Sequence, residues 1–131
     1  MDLAYLFLAE GAHIGDGRFF AFGGGVHYSQ ATSFPASLCS LAIVAGVWVA
    51  PEETKRDHRV ELKGISPDGE VYLQKQDIGL PISEIPGRPD LPVLSILVVN
   101  LRGVPLPSPG TYSFVLSVDG VELGKVSFLC L

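Results

Sequence analysis

Three histidines are the side chains of this sequence whose chemistry best suits a metal site. His13, His27 and His58 would supply three nitrogen ligands, but no two of them have the short spacing that marks a zinc site in a sequence. His13 and His27 can approach each other only across a hairpin that we predict near the start of the chain, from the strands 3–14 and 18–22. A hydrogen-bonded or exposed histidine on a strand is the simpler interpretation, so we predict no metal and no other cofactor.

The remaining reactive side chains lack the surroundings that catalysis requires. The sequence contains no Gly-x-Ser-x-Gly elbow. Cys39 and Cys130 lie among apolar neighbours, which favours two reduced core cysteines over nucleophiles or a disulfide. Glu52 and Glu53 are adjacent in a polar segment, where carboxylates are normally solvated. We predict that the protein is not an enzyme, and a metal-dependent enzyme built on the three histidines is the least favoured alternative.

Two further motifs are ambiguous between binding and structure. The run Gly23–Gly25 continues into Val26-His27-Tyr28, without the helix and Lys-Ser/Thr pair of a phosphate-binding loop, so it predicts a bulge or bend. Trp48 lies between two valines, which favours a core position over a ligand platform. As possible contacts with a ligand or partner we select Trp48, His27 and His58.

Length and charge exclude several classes of protein. The chain has 131 residues, the size of one domain, which we place at 1–131. Its net charge of -5, with no basic cluster, disfavours nucleic acid and anionic membrane surfaces as partners. The first apolar run ends at Glu10 and is too short for a signal peptide or a membrane span, so we predict a cytoplasmic protein.

The elements that would position these side chains are short strands. Fifteen glycines and ten prolines interrupt segments rich in β-branched and aromatic residues. The clearest strand is 111–119, which alternates well and ends in the hairpin signal Asp119-Gly120. Further strands are predicted at 3–14, 18–22, 38–49, 58–65, 70–75, 93–100 and 121–131. About eight strands of this kind predict an all-β fold, an antiparallel β-sandwich of immunoglobulin-like or jelly-roll-like type.

Three of these segments are apolar on both faces, whereas a strand with one solvent-exposed face would alternate between apolar and polar residues. They are 38–49, 93–99 and 127–131. Either a long loop such as 76–92 covers the outer face, or a second subunit does. This surplus of apolar surface predicts a protein partner or a homo-oligomer.

Several motifs, taken in order, resemble a known family. They are Tyr5-Leu6-Phe7-Leu8-Ala9-Glu10, Asp16-Gly17-Arg18, Phe22-Gly23-Gly24-Gly25, Phe34-Pro35, the segment 51–58 from Pro51 to His58, Pro109-Gly110-Thr111-Tyr112 and Asp119-Gly120. This series is similar to a family of small uncharacterised proteins, mainly of actinobacteria, catalogued as a domain of unknown function. Glu10 and Arg18 depart from the Asp and Lys usual there. The resemblance implies a β-sandwich and no established activity, so it carries no site residue to this chain.

Two functions from different classes follow. The first is a non-catalytic protein-binding or assembly module. The alternative is a small-molecule or carbohydrate-binding sandwich with a pocket near Trp48, His27 or the segment 76–92.

Overall fold

The computed structural model describes all 131 residues and consists of ten strands, with one 3-10 turn and no α-helix. The strands are β1 (Asp2–Ala9), β2 (Gly11–Gly15), β3 (Arg18–Phe22), β4 (Tyr28–Ser29), β5 (Ala36–Val49), β6 (Arg59–Ile65), β7 (Val71–Gly79), β8 (Val93–Leu106), β9 (Gly110–Val118) and β10 (Val121–Cys130). The 3-10 turn, Pro51–Glu53, follows β5. The all-β prediction is confirmed, whereas the count of about eight strands is too low.

The ten strands form three sheets. One has the order β1-β5-β8 and another has the order β4-β10-β9-β6-β7, while β2 and β3 form a separate hairpin. Every pairing is antiparallel except that of β4 with β10, which is parallel. The arrangement is therefore mixed at one edge, which the prediction of a purely antiparallel sandwich missed.

The predicted strand 3–14 is in fact two strands that belong to different sheets. β1 pairs with β5, whereas β2 pairs only with β3. The chain changes sheet at Glu10, whose backbone N–H lies 3.1 Å from the carbonyl of Phe22 and 3.2 Å from that of Gly23. Periodicity within the segment is continuous, so this exchange of partners leaves no local signal.

β7 and β8 are both longer than predicted. β8 pairs with β5 along its whole length, from the Ala36–Leu106 pair to the Val49–Val93 pair. β7 continues past Lys75 to Gly79. The predicted loop 76–92 therefore begins only after Gly79.

The core lies between the three-stranded and five-stranded sheets. β9 supplies every second side chain to it, and Tyr112 stacks on Phe128 of β10 with ring centres 5.5 Å apart. The outer face of the five-stranded sheet is polar, as the Ser113–Ser127 hydroxyl contact at 2.7 Å illustrates. This sheet therefore has the one wet face expected of antiparallel strands.

The outer face of the three-stranded sheet is covered by the β2–β3 hairpin. Ala12 packs there on Ala42 and Val44, and the Phe19 ring lies 5.8 Å from that of Phe7. The Asn100 side chain donates to the Ala12 carbonyl at 2.8 Å. The hairpin thus accounts for the apolar outer face of β5, for which the sequence had suggested the segment 76–92 or a second subunit.

Candidate functional site

The solvent side of the β2–β3 hairpin carries two exposed phenylalanines. Phe20 lies opposite His13 and Phe22 lies opposite Gly11, and residues paired across a ladder share one face. Phe20 is 55% and Phe22 63% exposed. We call His13, Phe20 and Phe22 the aromatic face.

Local contacts hold these rings in place. The His13 and Phe20 rings stack with centres 5.1 Å apart and planes inclined by 16°. The Phe22 ring lies over Gly11, where a Cβ atom would come within 2.3 Å of the Phe22 Cζ atom. The aromatic face is therefore an ordered apolar surface on the outermost layer of the molecule.

A second apolar group lies on the same side, where the hairpin leaves the end of the three-stranded sheet uncovered. Trp48 pairs in register with Leu94, and they are 45% and 37% exposed. Ile14, from the hairpin, borders the same small depression as Leu94. We call Trp48, Leu94 and Ile14 the tryptophan edge.

The prediction that Trp48 belongs to the core is wrong. Val47 and Val49 point into the core, so the alternation of β5 turns Trp48 to the outer face. The hairpin covers only part of the outer face of β5, at positions such as Val44 and Ala42. Trp48 is consequently available for contact.

His58 is buried and hydrogen-bonded through both ring nitrogens. Its Nδ1 lies 2.5 Å from Oδ2 of Asp119, and its Nε2 lies 2.6 Å from the carbonyl oxygen of Glu53. Both partners are acceptors, so an imidazolium that donates from both nitrogens satisfies the geometry. Burial lowers the pKa of His58, but the hydrogen bonds to Asp119 and Glu53 outweigh it, and the net shift is upward.

Asp119 completes this arrangement from the β9–β10 turn. Its Oδ1 accepts the backbone N–H of Arg59 at 2.9 Å, and this bond, followed by that to His58, lowers the pKa of the carboxyl. His58 thereby ties the 3-10 turn to the β9–β10 turn. No ring nitrogen is left for a substrate, and a residue only 2% exposed does not meet a partner, so His58 is a structural clamp and not the contact that we selected.

His27 lies in a third place, an open groove of about 530 Å³. We call it the glycine groove: the segment 23–30 forms one side, and residues near the start of β5 form the other. His27 is exposed, with Nδ1 3.2 Å from the carbonyl of Gly25, and its ring meets that of Tyr28 edge-on at 4.9 Å. The chain bends at Gly23 and continues without regular structure to β4, and no Lys or Arg lines the groove.

The structure does not bring the histidines together. His13 stacks on Phe20, His27 meets Tyr28 and His58 binds Asp119. No group of three His, Cys, Asp or Glu side chains is placed to hold a metal ion.

The cysteines also differ from each other. Cys39 is exposed and Cys130 is buried, and both are free thiols. The prediction of two core cysteines is therefore wrong for Cys39. Burial raises the pKa of the Cys130 thiol, which suits a core side chain.

Sequence reasoning missed Phe20, Phe22 and Asp119. The segment 18–22 has phenylalanine on both faces of a short strand, a signal that one ring must lie outside. Asp119 was interpreted only as a turn residue, and nothing local relates it to His58, which is 61 positions away.

The chain is thus an all-β protein whose outermost hairpin carries an exposed aromatic face. Within that class the chain belongs to the family of unknown function DUF6941, whose family model matches residues 4–130. The resemblance to a family of unknown function is thereby confirmed. A comparison with curated proteins finds no match. The chain has no helix of sufficient length and apolarity to cross a bilayer.

Proposed function

We propose that this protein is a non-catalytic assembly module that binds a second copy of itself through the aromatic face. The observation that carries the proposal is the exposure of Phe20 and Phe22 on an ordered hairpin. Aromatic side chains supply much of the binding energy at protein interfaces. Two large rings kept in water have no benefit for folding, since the hairpin is attached through its other face.

The distribution of exposed apolar residues indicates which side of the molecule is the contact surface. Five of the eleven exposed large apolar residues lie there, in the aromatic face and the tryptophan edge: Ile14, Phe20, Phe22, Trp48 and Leu94. Four others lie on the five-stranded sheet, but they are spread over it: Tyr28 and Leu129 on β4 and β10, Val71 on β7 at the other edge, and Val121 beside the β9–β10 turn. A group of exposed apolar residues on one side, and not dispersed ones, is typical of a contact surface.

Symmetry supports a second copy as the occupant. A two-fold axis through the aromatic face brings the Phe20 and Phe22 rings of one copy against those of the other, so one apolar surface serves both sides of the contact. Symmetric dimers are the commonest assemblies of identical chains.

The wider setting of the proposal is a bacterial cytoplasm. The motifs shared with actinobacterial proteins and the free thiols support that setting. The net charge of -5 supports a protein partner over nucleic acid or an anionic membrane. We also propose that the two larger sheets form a sandwich of immunoglobulin-like or jelly-roll-like type.

Light scattering coupled to gel filtration tests the proposal. We expect a dimer for the native chain and a monomer for the double variant Phe20→Ser, Phe22→Ser, with unchanged circular dichroism. The matched control is Val71→Ser with Val121→Ser, which removes valines that are 50% and 62% exposed on the other sheet, and it should remain dimeric.

A monomeric native chain at about 1 mM would overturn the proposal, because a contact worth only about 4 kcal/mol would be populated there. Dimerisation that survives the double phenylalanine variant would equally overturn it.

A further inference from the structure

Gly24 is a glycine that the fold itself does not require. Its two neighbours are explained: Gly23 has φ +60° with the Glu10 side chain 2.5 Å from where a Cβ would lie, and Gly25 has φ +84°. Gly24 has no left-handed backbone, and the nearest atom to its missing Cβ is on Phe7, 3.9 Å away. Ordinary contact at that distance would admit a side chain. Gly24 lines the glycine groove, and without a side chain it leaves the backbone there open to a ligand.

The dimensions of this groove suit a small ligand. Its volume of about 530 Å³ lies within the range of small-molecule sites. Glu10, Gln30 and Ser40 offer a carboxylate, an amide and a hydroxyl along it. The Ser40 hydroxyl donates to the Glu10 carbonyl at 3.1 Å, so the Ser40 oxygen keeps lone pairs that can accept a hydrogen bond from a ligand.

The aromatic side chain at the rim narrows the ligand class. Tyr28 is 54% exposed, and the His27 ring holds it edge-on. A ring of this kind offers a flat apolar face beside polar groups. A sugar matches both features, because its hydroxyls bond to the carboxylate and amide while its C–H face lies on the ring.

Charge excludes anionic ligands. Glu10 is the only Asp, Glu, Lys or Arg that lines the groove, and it is negative. Arg102 borders a second depression with Glu10 and Ser40, but it does not line the groove and forms no ion pair with Glu10. A phosphate or carboxylate ligand would be repelled. From the open backbone at Gly24, the acceptor groups and the exposed ring, we infer that the glycine groove binds a neutral saccharide.

The experiment is a titration with neutral sugars, followed by amide NMR of the full chain. The probes are glucose, galactose, mannose, maltose and cellobiose, each added to about 50 mM, a concentration at which even a contact of millimolar affinity is populated. We expect at least one sugar to shift the amides of 23–30 and 40, and to leave those of His13 and Phe20 unmoved.

Two glycine variants provide the matched test. Gly24→Leu fills the groove and should weaken sugar binding by about tenfold or more. Gly79→Leu is the control, because Gly79 on β7 also has open space at its missing Cβ and no left-handed φ. It should bind the sugar as the native chain does. Tyr28→Ala should also weaken binding, by about fivefold or more, if the ring is the platform.

Several results would overturn the inference. They are no shift with any sugar, shifts that persist in Gly24→Leu, and binding of choline or inorganic phosphate in place of sugars. The inference goes beyond the proposed assembly function and can fail separately from it. The double phenylalanine variant should still bind the sugar, and Gly24→Leu should still form dimers.

Discussion

At the scale of single residues, His58 shows how burial turns a titratable group into a structural element. Its imidazolium lies between the Asp119 carboxylate and the Glu53 carbonyl. The His58 ring can donate to both acceptors only while it is protonated, so the stability of the fold depends on pH. The same hydrogen bonds that raise the pKa of His58 also remove it from catalysis.

The direction of that pH dependence follows from the shift. The folded pKa of His58 is raised, so its contribution is fully present below the unfolded value and is lost as pH rises through the folded value. We expect the free energy of unfolding in urea to fall as pH rises from about 6.5, the ordinary histidine value, toward 9. In His58→Gln this slope should disappear, with a loss of about 2–3 kcal/mol at pH 6.

Asp119 affects the pH dependence of stability in the opposite direction. Its folded pKa is lowered, chiefly by the Arg59 N–H, so its contribution is present above the unfolded value and is lost as pH falls through the folded one. Asp119→Asn should flatten the acid limb of the stability curve. A native curve that rises from pH 6.5 to 9 would contradict the assignment of a buried imidazolium.

Gly46 makes a second residue-scale point, about close approach. The ring of Tyr5 occupies the space above it, so that a Cβ atom would lie 2.4 Å from the Tyr5 Cζ atom. Gly46→Ala should therefore cost about 1–3 kcal/mol in urea unfolding. Gly79→Ala, where the space is open, should change stability by no more than about 0.5 kcal/mol. Equal effects of the two variants would show that the Tyr5 ring moves aside freely.

At the scale of elements, the β2–β3 hairpin has two faces with separate roles. Its inner face carries Phe19, whose ring lies 5.7 Å from that of Tyr5, and its outer face carries Phe20 and Phe22. The turn between the strands has left-handed backbone at Asp16 and Gly17, the geometry of a tight hairpin. Attachment and contact can thus be altered independently.

Adjacent phenylalanines test that separation. Phe19→Ala should destabilise the protein by about 2–4 kcal/mol, because it removes a ring packed between hairpin and sheet. Phe20→Ala should change stability by no more than about 0.5 kcal/mol, since that ring faces water. Urea unfolding measures both values, and hydrogen exchange at Val44 should accelerate only in Phe19→Ala. A large loss in Phe20→Ala would mean that the aromatic face is part of the folding core.

At the scale of the whole molecule, the only tryptophan reports on assembly. Trp48 is 45% exposed and lies on the same side as the aromatic face. Dimer formation through that side should shift its fluorescence to shorter wavelength and reduce acrylamide quenching as protein concentration rises. The double variant Phe20→Ser, Phe22→Ser should show neither change. Concentration-independent quenching in a native dimer would place the interface elsewhere.

The local pattern of residues determined the class of this fold and several of its turns. Alternation along 111–119 and the Asp119-Gly120 turn are local, because side chains of a strand point to alternate faces whatever lies beside them. The same alternation turns Val60 and Leu62 of β6 into the core. These features need no knowledge of distant residues.

Only the tertiary structure decided which strands pair, what covers each face and which side chains meet. The exposure of Trp48 depends on how far the β2–β3 hairpin, which ends 26 positions earlier at Phe22, extends over the sheet. The His58–Asp119 contact joins residues 61 positions apart. The glycine groove likewise requires the segment 23–30 to lie beside the start of β5. Such contacts depend on the packing of distant elements, for which the local succession of residue types carries no signal.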